Sequence, residues 1–341
     1  DQIVKQTFNR VLVPRFTSFR SIISDHKTYV QITQELSGDK VRNEFVMEDV
    51  KAAIQKGRTP LVLTTRTAHV KVLAQMLMPF ADHVIQLIGA DSAKEKRLAL
   101  QNLQSIPTSE SLVIVATGKY VGEGFDYPRL DTLFLTMPIA WKGNVEQYAG
   151  RLHREYEGKS EVYIYDYVDI RVPLCDSMYR KRLKGYIKAG YGKNVTSLVP
   201  DKNPQELIYE QNNYEAAFRN DLAKAKHSVV IAVPKVKFKY KPSIMSALAN
   251  LLHNGVSVVV HVKEEGANEI ELSNAGMDVV CNKEQTLQCA VIDKAIVWYG
   301  NINFFGYNSE TNNVMRIADH KIANEMMEIL YSATENKVNG G

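Results

Sequence analysis

Short apolar runs alternate with amphipathic helical segments between residues 58 and 170. The runs typical of buried strands cover residues 61–65, 83–88, 112–116 and 132–135. Helical periodicity fills the first two intervals between them, over residues 68–78 and 92–103. Because parallel strands need long crossovers, usually helical, this alternation predicts an α/β lobe with a parallel sheet flanked by helices.

A second α/β region follows a break in the pattern. Gly190, Gly192 and Pro200 interrupt the chain, and residues 192–204 are the predicted linker. Beyond it, residues 205–335 show a helical segment near 206–226 and the strand-like run SVVIAVP. A helix near 243–253, the strand VSVVVHV, a helix near Ala267 and three short strands through DVV, LQCAVID and AIVWYGNIN come next. The pattern predicts a second α/β domain.

Two further segments flank the first lobe. Residues 1–57 are interpreted as a connector and a mostly helical lead-in that joins this lobe to another one. The pattern of residues 175–194 predicts a basic amphipathic helix, which we assign to the first lobe, residues 58–191. Its apolar face would hold Tyr179, Leu183, Tyr186 and Ile187, opposite Arg180, Lys181, Lys184 and Lys188. The lysines either follow a phosphate backbone or are simply solvated.

The run EQYAGRLHREYEG, residues 146–158, has the spacing Q-x-x-G-R-x-x-R. On a helix, Gln147, Arg151 and Arg154 form one stripe, because positions i, i+4 and i+7 share a face. Apolar residues face the other way: Val145, Tyr148, Leu152 and Tyr156. A planar, permanently charged guanidinium suits the charge on a transferring phosphoryl group, so the two arginines are candidate catalytic residues. The alternative interpretation of this stripe is a solvated charged face of the helix.

A glycine-containing loop precedes that stripe, in the run IVATGKYVGEGFDYP. A strand ends at Thr117, and the loop carries Gly122, Gly124 and Asp126. Glycines let backbone amides approach phosphates, and a carboxylate at the end of the loop can accept from a ribose hydroxyl. These are the candidate nucleotide-binding residues.

The segments LVLTTR, VATGKYVGEGFD and QYAGRLHR resemble motifs IV, V and VI of the second RecA-like lobe of superfamily 2 (DEAD/DEAH-type) helicases and translocases. By this resemblance Arg151 and Arg154, beside Gln147, are arginine fingers, and Gly124 and Asp126 touch the nucleotide. The residues implied along a nucleic-acid backbone are Thr65, Arg66, Gly89 and Thr117.

The resemblance also implies ATP and Mg as cofactors, bound mainly by a first RecA-like lobe. That lobe would carry a P-loop, G-x-x-x-x-G-K-[ST], which this sequence lacks. Gly158-Lys159-Ser160 imitates only the end of that motif, and a turn is predicted there. We therefore expect the C-terminal half of an ATP-dependent helicase, inactive as an ATPase alone. Its expected partners are DNA (or RNA) and the missing N-terminal lobe.

The run AVIDKAIVWYGNINFF, residues 290–305, resembles the phospholipase D-like nuclease fold. The signature of that family is H-x-K-x-x-x-x-D followed by a G-S-x-N turn. Asp293 matches the aspartate, and Asn301 and Asn303 lie in the turn, but Thr286 and Gln288 occupy the histidine and lysine positions. Because the reaction needs an imidazole nucleophile and a lysine, we expect a degenerate module that keeps a polar cleft for binding, in preference to an active nuclease.

The run PKVKFKYKP, residues 234–242, alternates lysines with apolar and aromatic residues. In an extended segment Lys235, Lys237, Lys239 and Lys241 share one side, where aromatics between them could stack on bases. The other interpretation is an edge strand that its lysines protect from aggregation.

Composition narrows the function classes. The 341 residues are 45% hydrophobic and 23% charged, which suits about two cores of ordinary size and a cytoplasmic globular chain. Three cysteines without C-x-x-C spacing predict no zinc site, and no apolar run predicts a membrane span. A net charge of +4 is too small to indicate nucleic-acid binding by itself. A non-enzymatic module that docks nucleic acid or protein remains the alternative to the helicase.

Overall fold

The computed structural model describes residues 8–21, 28–90, 92–122, 125–140, 145–191, 208–237 and 241–335. It divides into two units, Asp1–Tyr191 and Gly192–Gly341. The predicted linker, residues 192–204, lies outside the described residues.

The first unit is built on six parallel strands. They are β1 (Asn9–Phe16), β2 (Pro60–Thr64), β3 (His83–Leu87), β4 (Leu112–Thr117), β5 (Thr132–Leu135) and β6 (Glu161–Val168), in the order β1-β6-β5-β2-β4-β3. Every residue of β2, β4 and β5 is buried, as expected for parallel strands covered on both faces. The predicted parallel α/β architecture is confirmed, and the ends of β2, β3, β4 and β5 lie within one residue of their predicted positions.

Seven helices complete the described part of this unit. They are α1 (Tyr29–Gly38), α2 (Lys40–Gln55), α3 (Thr67–Leu77), α4 (Ala93–Ser105), α5 (Gly118–Gly122), α6 (Glu146–Leu152) and α7 (Pro173–Lys188). Capping boxes start α1 and α4, since Thr28 pairs with Gln31 and Ser92 with Glu95. The helices α2 and α3 bury Val50, Leu73 and their neighbours against the sheet in one core cluster.

Part of the predicted connector, residues 1–57, belongs to the sheet. The strand β1 pairs with β6 from Asn9↔Glu161 to Phe16↔Val168, and the sequence pattern did not indicate this strand. It lies at the edge of the sheet, which tolerates Pro14 because an edge strand need not donate every backbone N–H. A buried ion pair between Arg15 and Asp49 joins β1 to α2.

The predicted apolar face of α7 is wrong at Ile187. Tyr179 and Tyr186 are fully buried, whereas Ile187 is 41% exposed. The buried stripe follows the spacing of Cys175, Tyr179, Arg182 and Tyr186, and a residue directly after Tyr186 turns away from it. Arg182 is buried because it forms a bidentate pair with Asp166, at 2.8 Å for each hydrogen bond.

The second unit has a seven-stranded mixed sheet in the order β10-β9-β8-β11-β12-β13-β7. Its strands are β7 (Ile208–Glu210), β8 (Ser228–Ala232), β9 (Ser257–Val262), β10 (Asp278–Cys281), β11 (Cys289–Ile292), β12 (Ile296–Gly300) and β13 (Asn313–Ala318). Its helices are α8 (Tyr214–Lys224), α9 (Pro242–His253), α10 (Ala267–Asn274) and α11 (His320–Glu335). The strands β8, β9 and β10 are parallel and the other pairs antiparallel. The helix predicted near 206–226 begins later, because residues 208–210 form β7.

Aromatic side chains fill the core of the second unit. Trp298 packs on Phe218 with ring centroids 5.4 Å apart, and Phe218 lies 4.6 Å from Phe304. The buried Asp221 carboxylate accepts from the Trp298 indole at 2.9 Å and from Arg316 at 2.6 and 2.9 Å. Every charged group in this buried contact therefore has a partner.

Candidate functional site

A cavity of about 770 Å³ opens in the first unit, beside the carboxyl ends of β2 and β4. Ligands of parallel α/β sheets bind at this edge. Four residues singled out in the sequence line the cavity: Thr65, Thr117, Gly122 and Gln147. They come from three separate segments of the chain, and the fold brings them together.

Thr117 and Gly89 are joined by a direct contact. The backbone N–H of Gly89 donates to the Thr117 hydroxyl at 2.9 Å. A Cβ atom on Gly89 would lie 2.9 Å from the Cβ of Lys119, closer than side chains normally approach. Glycine at this position therefore lets the loop after β3 close onto the end of β4.

The start of α5 lies against α6. A Cβ on Gly118 would come within 2.5 Å of the Tyr148 hydroxyl, and one on Gly122 would lie 3.6 Å from Oε1 of Gln147. Tyr148 is buried, and burial raises the pKa of its phenol, so the hydroxyl stays protonated. The two segments that resemble motifs V and VI thus share a wall of the cavity.

His69 supports the loop that carries Thr65 and Arg66. Its ring contacts the Thr64 hydroxyl through Nδ1 at 2.8 Å and the Asn43 side-chain oxygen through Nε2 at 2.9 Å. Since an amide oxygen only accepts, Nε2 carries the proton and Nδ1 accepts from Thr64. Burial, with Arg42 and Arg66 nearby, lowers the pKa of His69 to about 3. His69 is a neutral structural residue.

The arginine stripe predicted on one helix is wrong for Arg154. The helix α6 ends at Leu152, where the N–H of His153 bonds the Gly150 carbonyl at 3.3 Å and tightens the last turn. Arg154 follows in the turn, and its Nε donates to Asp126 at 3.2 Å. The apolar face is confirmed for Val145, Tyr148 and Leu152, all of which are buried.

Both members of the Arg154–Asp126 pair are solvent-accessible, with side chains 52% and 44% exposed. Arg151 remains on α6 and is half-buried. Gly124, the other predicted nucleotide contact, lies outside the described residues. The structure therefore places one carboxylate and one guanidinium of the predicted nucleotide side next to each other.

Lys159 connects the segment that carries Asp126 to the turn that carries Arg154. Gly158 adopts a φ of 77° in a turn, as predicted in place of a phosphate-binding loop. The Lys159 ammonium then donates to the carbonyls of Pro128 at 2.9 Å and Arg154 at 2.7 Å. Burial lowers the pKa of Lys159 to about 8, against the opposing effect of Asp131 and Asp126.

In the second unit, Asp293 holds the connection between α8 and β8. Its carboxylate accepts from the backbone N–H groups of Lys226, His227 and Ser228 at 2.8, 2.8 and 2.9 Å. Burial acts to raise the pKa of Asp293, but these hydrogen bonds outweigh it and hold the pKa below its usual value.

Asp293 and Gln288, two residues of the predicted degenerate nuclease site, lie at opposite ends of β11. Gln288 precedes β11 and Asp293 follows it, so an extended strand spanning about 16 Å separates them. Asn301 and Asn303 serve backbone contacts: Asn301 accepts from the Asn313 N–H at 2.7 Å, and Asn303 donates to the Lys235 carbonyl at 2.9 Å. Thr286 is exposed.

The prediction that four lysines of residues 234–242 share one exposed side is wrong for Lys241. Lys235 and Lys237 are exposed on either side of the buried Val236, as an extended segment predicts. Lys241 is buried instead, with its ammonium 2.9 Å from Glu215 and 5.1 Å from the centroid of the Tyr214 ring. Lys239 lies outside the described residues.

Among the described residues, no group of three or more His, Cys, Asp or Glu side chains is arranged to hold a metal ion. Within the same part of the chain, no helix has the length and hydropathy needed to span a membrane.

The sequence signals missed several residues of the cavity. Tyr29, Lys119, Ile139 and Met178 also line it. Tyr29 belongs to the segment interpreted as a lead-in, and Met178 belongs to α7 but to neither the apolar nor the basic face predicted for it. Their helical patterns were visible in the sequence, but their approach to Thr65 and Thr117 was not.

No protein-family model matches the chain. It is 26% identical over 198 residues to transcript termination protein A18 of vaccinia virus (strain Ankara), a match that covers 58% of this chain and 37% of that protein. The monkeypox virus transcript termination protein OPG145 is 24% identical over 194 residues, covering 56% of this chain and 36% of that protein. The chain thus spans little more than a third of these relatives.

Among solved structures, T4 UvsW aligns at a TM-score of 0.43 and 15% identity, covering 56% of this chain and 41% of that one. Nuc from Salmonella typhimurium, a phospholipase D family member, aligns at a TM-score of 0.33 and 20% identity. That alignment covers 38% of this chain and 92% of Nuc.

Proposed function

We propose that the chain is the C-terminal part of an ATP-dependent nucleic-acid helicase or translocase. In this proposal the first unit binds a nucleic-acid strand in the cavity and presents arginines to a nucleotide. The similarity to viral transcript termination proteins, over more than half of this chain, supports a role on nucleic acid.

The observation that carries the proposal is the meeting of Thr65, Thr117, Gly122 and Gln147 around one cavity. Each comes from a segment that resembles a different helicase motif or a different part of one. Hydroxyl and amide side chains at the carboxyl ends of parallel strands suit contacts to phosphate and sugar oxygens. Lys119, at the same cavity, adds a cation for the phosphates.

The Arg154–Asp126 pair fits the proposed nucleotide side. An exposed ion pair of this kind contributes only about 0–1 kcal/mol, so a phosphate group can displace the carboxylate at little cost. When bound, ATP with Mg supplies the transferable phosphoryl group. Arg154 and Arg151 would neutralise its charge, and the Lys159 ammonium would fix the backbone of Arg154.

In the second unit we propose binding without cleavage. Thr286 and Gln288 lack the imidazole and ammonium that phosphodiester cleavage by the phospholipase D family requires, and Asp293 is engaged by backbone N–H groups. Of the lysines predicted to share one side of residues 234–242, Lys235 and Lys237 are exposed and would contact a phosphate backbone.

Fluorescence anisotropy with a labelled oligonucleotide tests strand binding. We expect the logarithm of the affinity to fall linearly with the logarithm of salt concentration, and Lys119→Ala to reduce the slope by about 1. The matched control is Arg97→Ala, which removes an exposed cation from α4 away from the cavity lining. Absence of salt-dependent binding would place the chain among protein-docking modules, and equal effects of both variants would mean that the strand does not bind in the cavity.

The arginines are tested by ATP turnover in a protein that joins this chain to a P-loop lobe. Arg154→Ala and Arg151→Ala should each lower turnover by about 10³-fold or more, and lysine should rescue poorly because it lacks the planar fork. Near wild-type turnover in both alanine variants would contradict the assignment. The chain alone should show no ATPase above background.

A further inference from the structure

We propose that the apolar half of the cavity takes one unstacked nucleobase of a bound single strand, with the Tyr29 ring as its stacking surface. The inference rests on the proposed function and names the part of the strand that the cavity recognises. It also gives α1 a role in binding that its place in the sequence does not suggest.

The walls of the cavity are of two kinds. The lining includes the polar residues Thr65, Thr117 and Lys119 and the apolar or aromatic residues Tyr29, Ile139 and Met178. A nucleotide has the same division, with phosphate and sugar at one end and a flat apolar base at the other. A volume of about 770 Å³ is in the range of small-molecule sites and is ample for one nucleotide.

Tyr29 is accessible and fixed in place. It is the first residue of α1, directly after the Thr28 cap, and the residue is 37% exposed. Its phenol is within hydrogen-bonding reach of the Thr65 side chain. Burial raises the pKa of Tyr29 more than this hydrogen bond lowers it, so the pKa is higher than usual. The neutral phenol is therefore held next to Thr65, and the exposed part of Tyr29 leaves surface for a ligand.

The backbone of Ile139, another lining residue, is held in place. The carbonyl of Ile139 accepts from Nη1 of Arg182 at 2.9 Å, and the same guanidinium is paired with Asp166 inside the unit. Arg182 and Asp166 are both buried. A base that enters between Tyr29 and Ile139 would meet walls that need little reorganisation, which favours binding.

The balance of charge favours a strand over a free triphosphate. Lys119 is the one cationic side chain among the described residues that line the cavity. One lysine suits a single phosphodiester next to a stacked base, whereas a triphosphate would need more cations or a metal ion. Base stacking is also tolerant of sequence, since every base has a flat face.

The test compares two oligonucleotides of about 12 residues, oligothymidylate and the same backbone without bases at central positions. Tyr29→Ala should weaken oligothymidylate binding by about 5- to 150-fold and leave binding of the abasic strand unchanged. Tyr29→Phe should bind both strands like the wild type, because the ring remains. Lys119→Ala should weaken both strands equally.

Phe80→Ala is the matched control. Phe80 is 42% exposed in the same unit, but it precedes β3 and so lies at the amino-end edge of the sheet, opposite the cavity. It should leave both affinities unchanged. If Tyr29→Ala does not fold by circular dichroism, Tyr29→Leu keeps the bulk of the side chain, removes the ring and should give the same selective loss.

A second measurement reports stacking directly. A 2-aminopurine base within the strand should lose fluorescence on binding to the wild type and to Tyr29→Phe, and keep it with Tyr29→Leu. If the variants without the ring affect both strands alike, or neither, the base pocket is overturned while strand binding stands. If neither strand binds in a salt-dependent way, the proposed function falls with it.

Discussion

Replacing Arg182 by methionine should destabilise the first unit strongly. Its guanidinium makes two hydrogen bonds of 2.8 Å to Asp166 and one of 2.9 Å to the Ile139 carbonyl. The same carboxylate accepts from the Tyr186 hydroxyl at 2.7 Å. Methionine fills much of the space but leaves the carboxylate without its cation.

The magnitude follows from the burial of both partners, whose side chains are 1% and 0% exposed. Removing one member of a fully buried pair costs about 3–5 kcal/mol, because the other charge stays buried and unpaired. In a unit of this size each kcal/mol lowers the melting temperature by about 2–4 °C. Arg182→Met should therefore lower it by roughly 6–20 °C.

Urea unfolding followed by circular dichroism measures the loss. Lys184→Met is the matched control, since it removes an exposed cation from the same helix and should change the unfolding free energy by less than about 0.5 kcal/mol. Adding Asp166→Asn to Arg182→Met removes the stranded charge and should recover a large part of the stability.

Two results would refute this reasoning. One is an Arg182→Met variant within about 1 kcal/mol of the wild type, which is the cost of an exposed pair. The other is a double variant less stable than Arg182→Met alone, which would mean that the carboxylate charge is not what destabilises the single variant.

Three further predictions concern stability. Gly300→Ala should lower the free energy of unfolding by about 1–3 kcal/mol, because the added Cβ would overlap the Asn313 carbonyl. Gly150→Ala should raise it by about 0.5–1 kcal/mol, because the added Cβ on α6 meets open space. Urea unfolding measures both changes. His69 has a folded-state pKa of about 3 against a usual 6.5, so the unfolded chain takes up the proton first. Stability should then be complete above about pH 6.5 and fall as the pH drops toward 3, and the His69 imidazole should show no NMR titration near pH 6.5. Lys241→Met should lower the thermal midpoint and Lys235→Met should not, since only Lys241 is buried against Glu215; equal midpoints would contradict this.

The sequence alone determined the strands β2 to β5 of the first unit and the segments that follow them. Strand and helix periodicity are local properties, so apolar runs at 61–65 and 112–116 were sufficient to place β2 and β4. Parallel strands end at one edge of a sheet, and the family resemblance implied that Thr65 and Thr117 both lie along a nucleic-acid backbone.

The tertiary structure decided which side chains complete the site. Tyr29 reaches the cavity because α1 returns to the carboxyl edge of the sheet, and Arg154 meets Asp126 because α6 ends one turn earlier than its pattern predicts. Asp293 holds backbone N–H groups that lie 65 to 67 residues away in sequence. Such contacts depend on helix ends and on the packing of distant segments, and local periodicity carries no information about either.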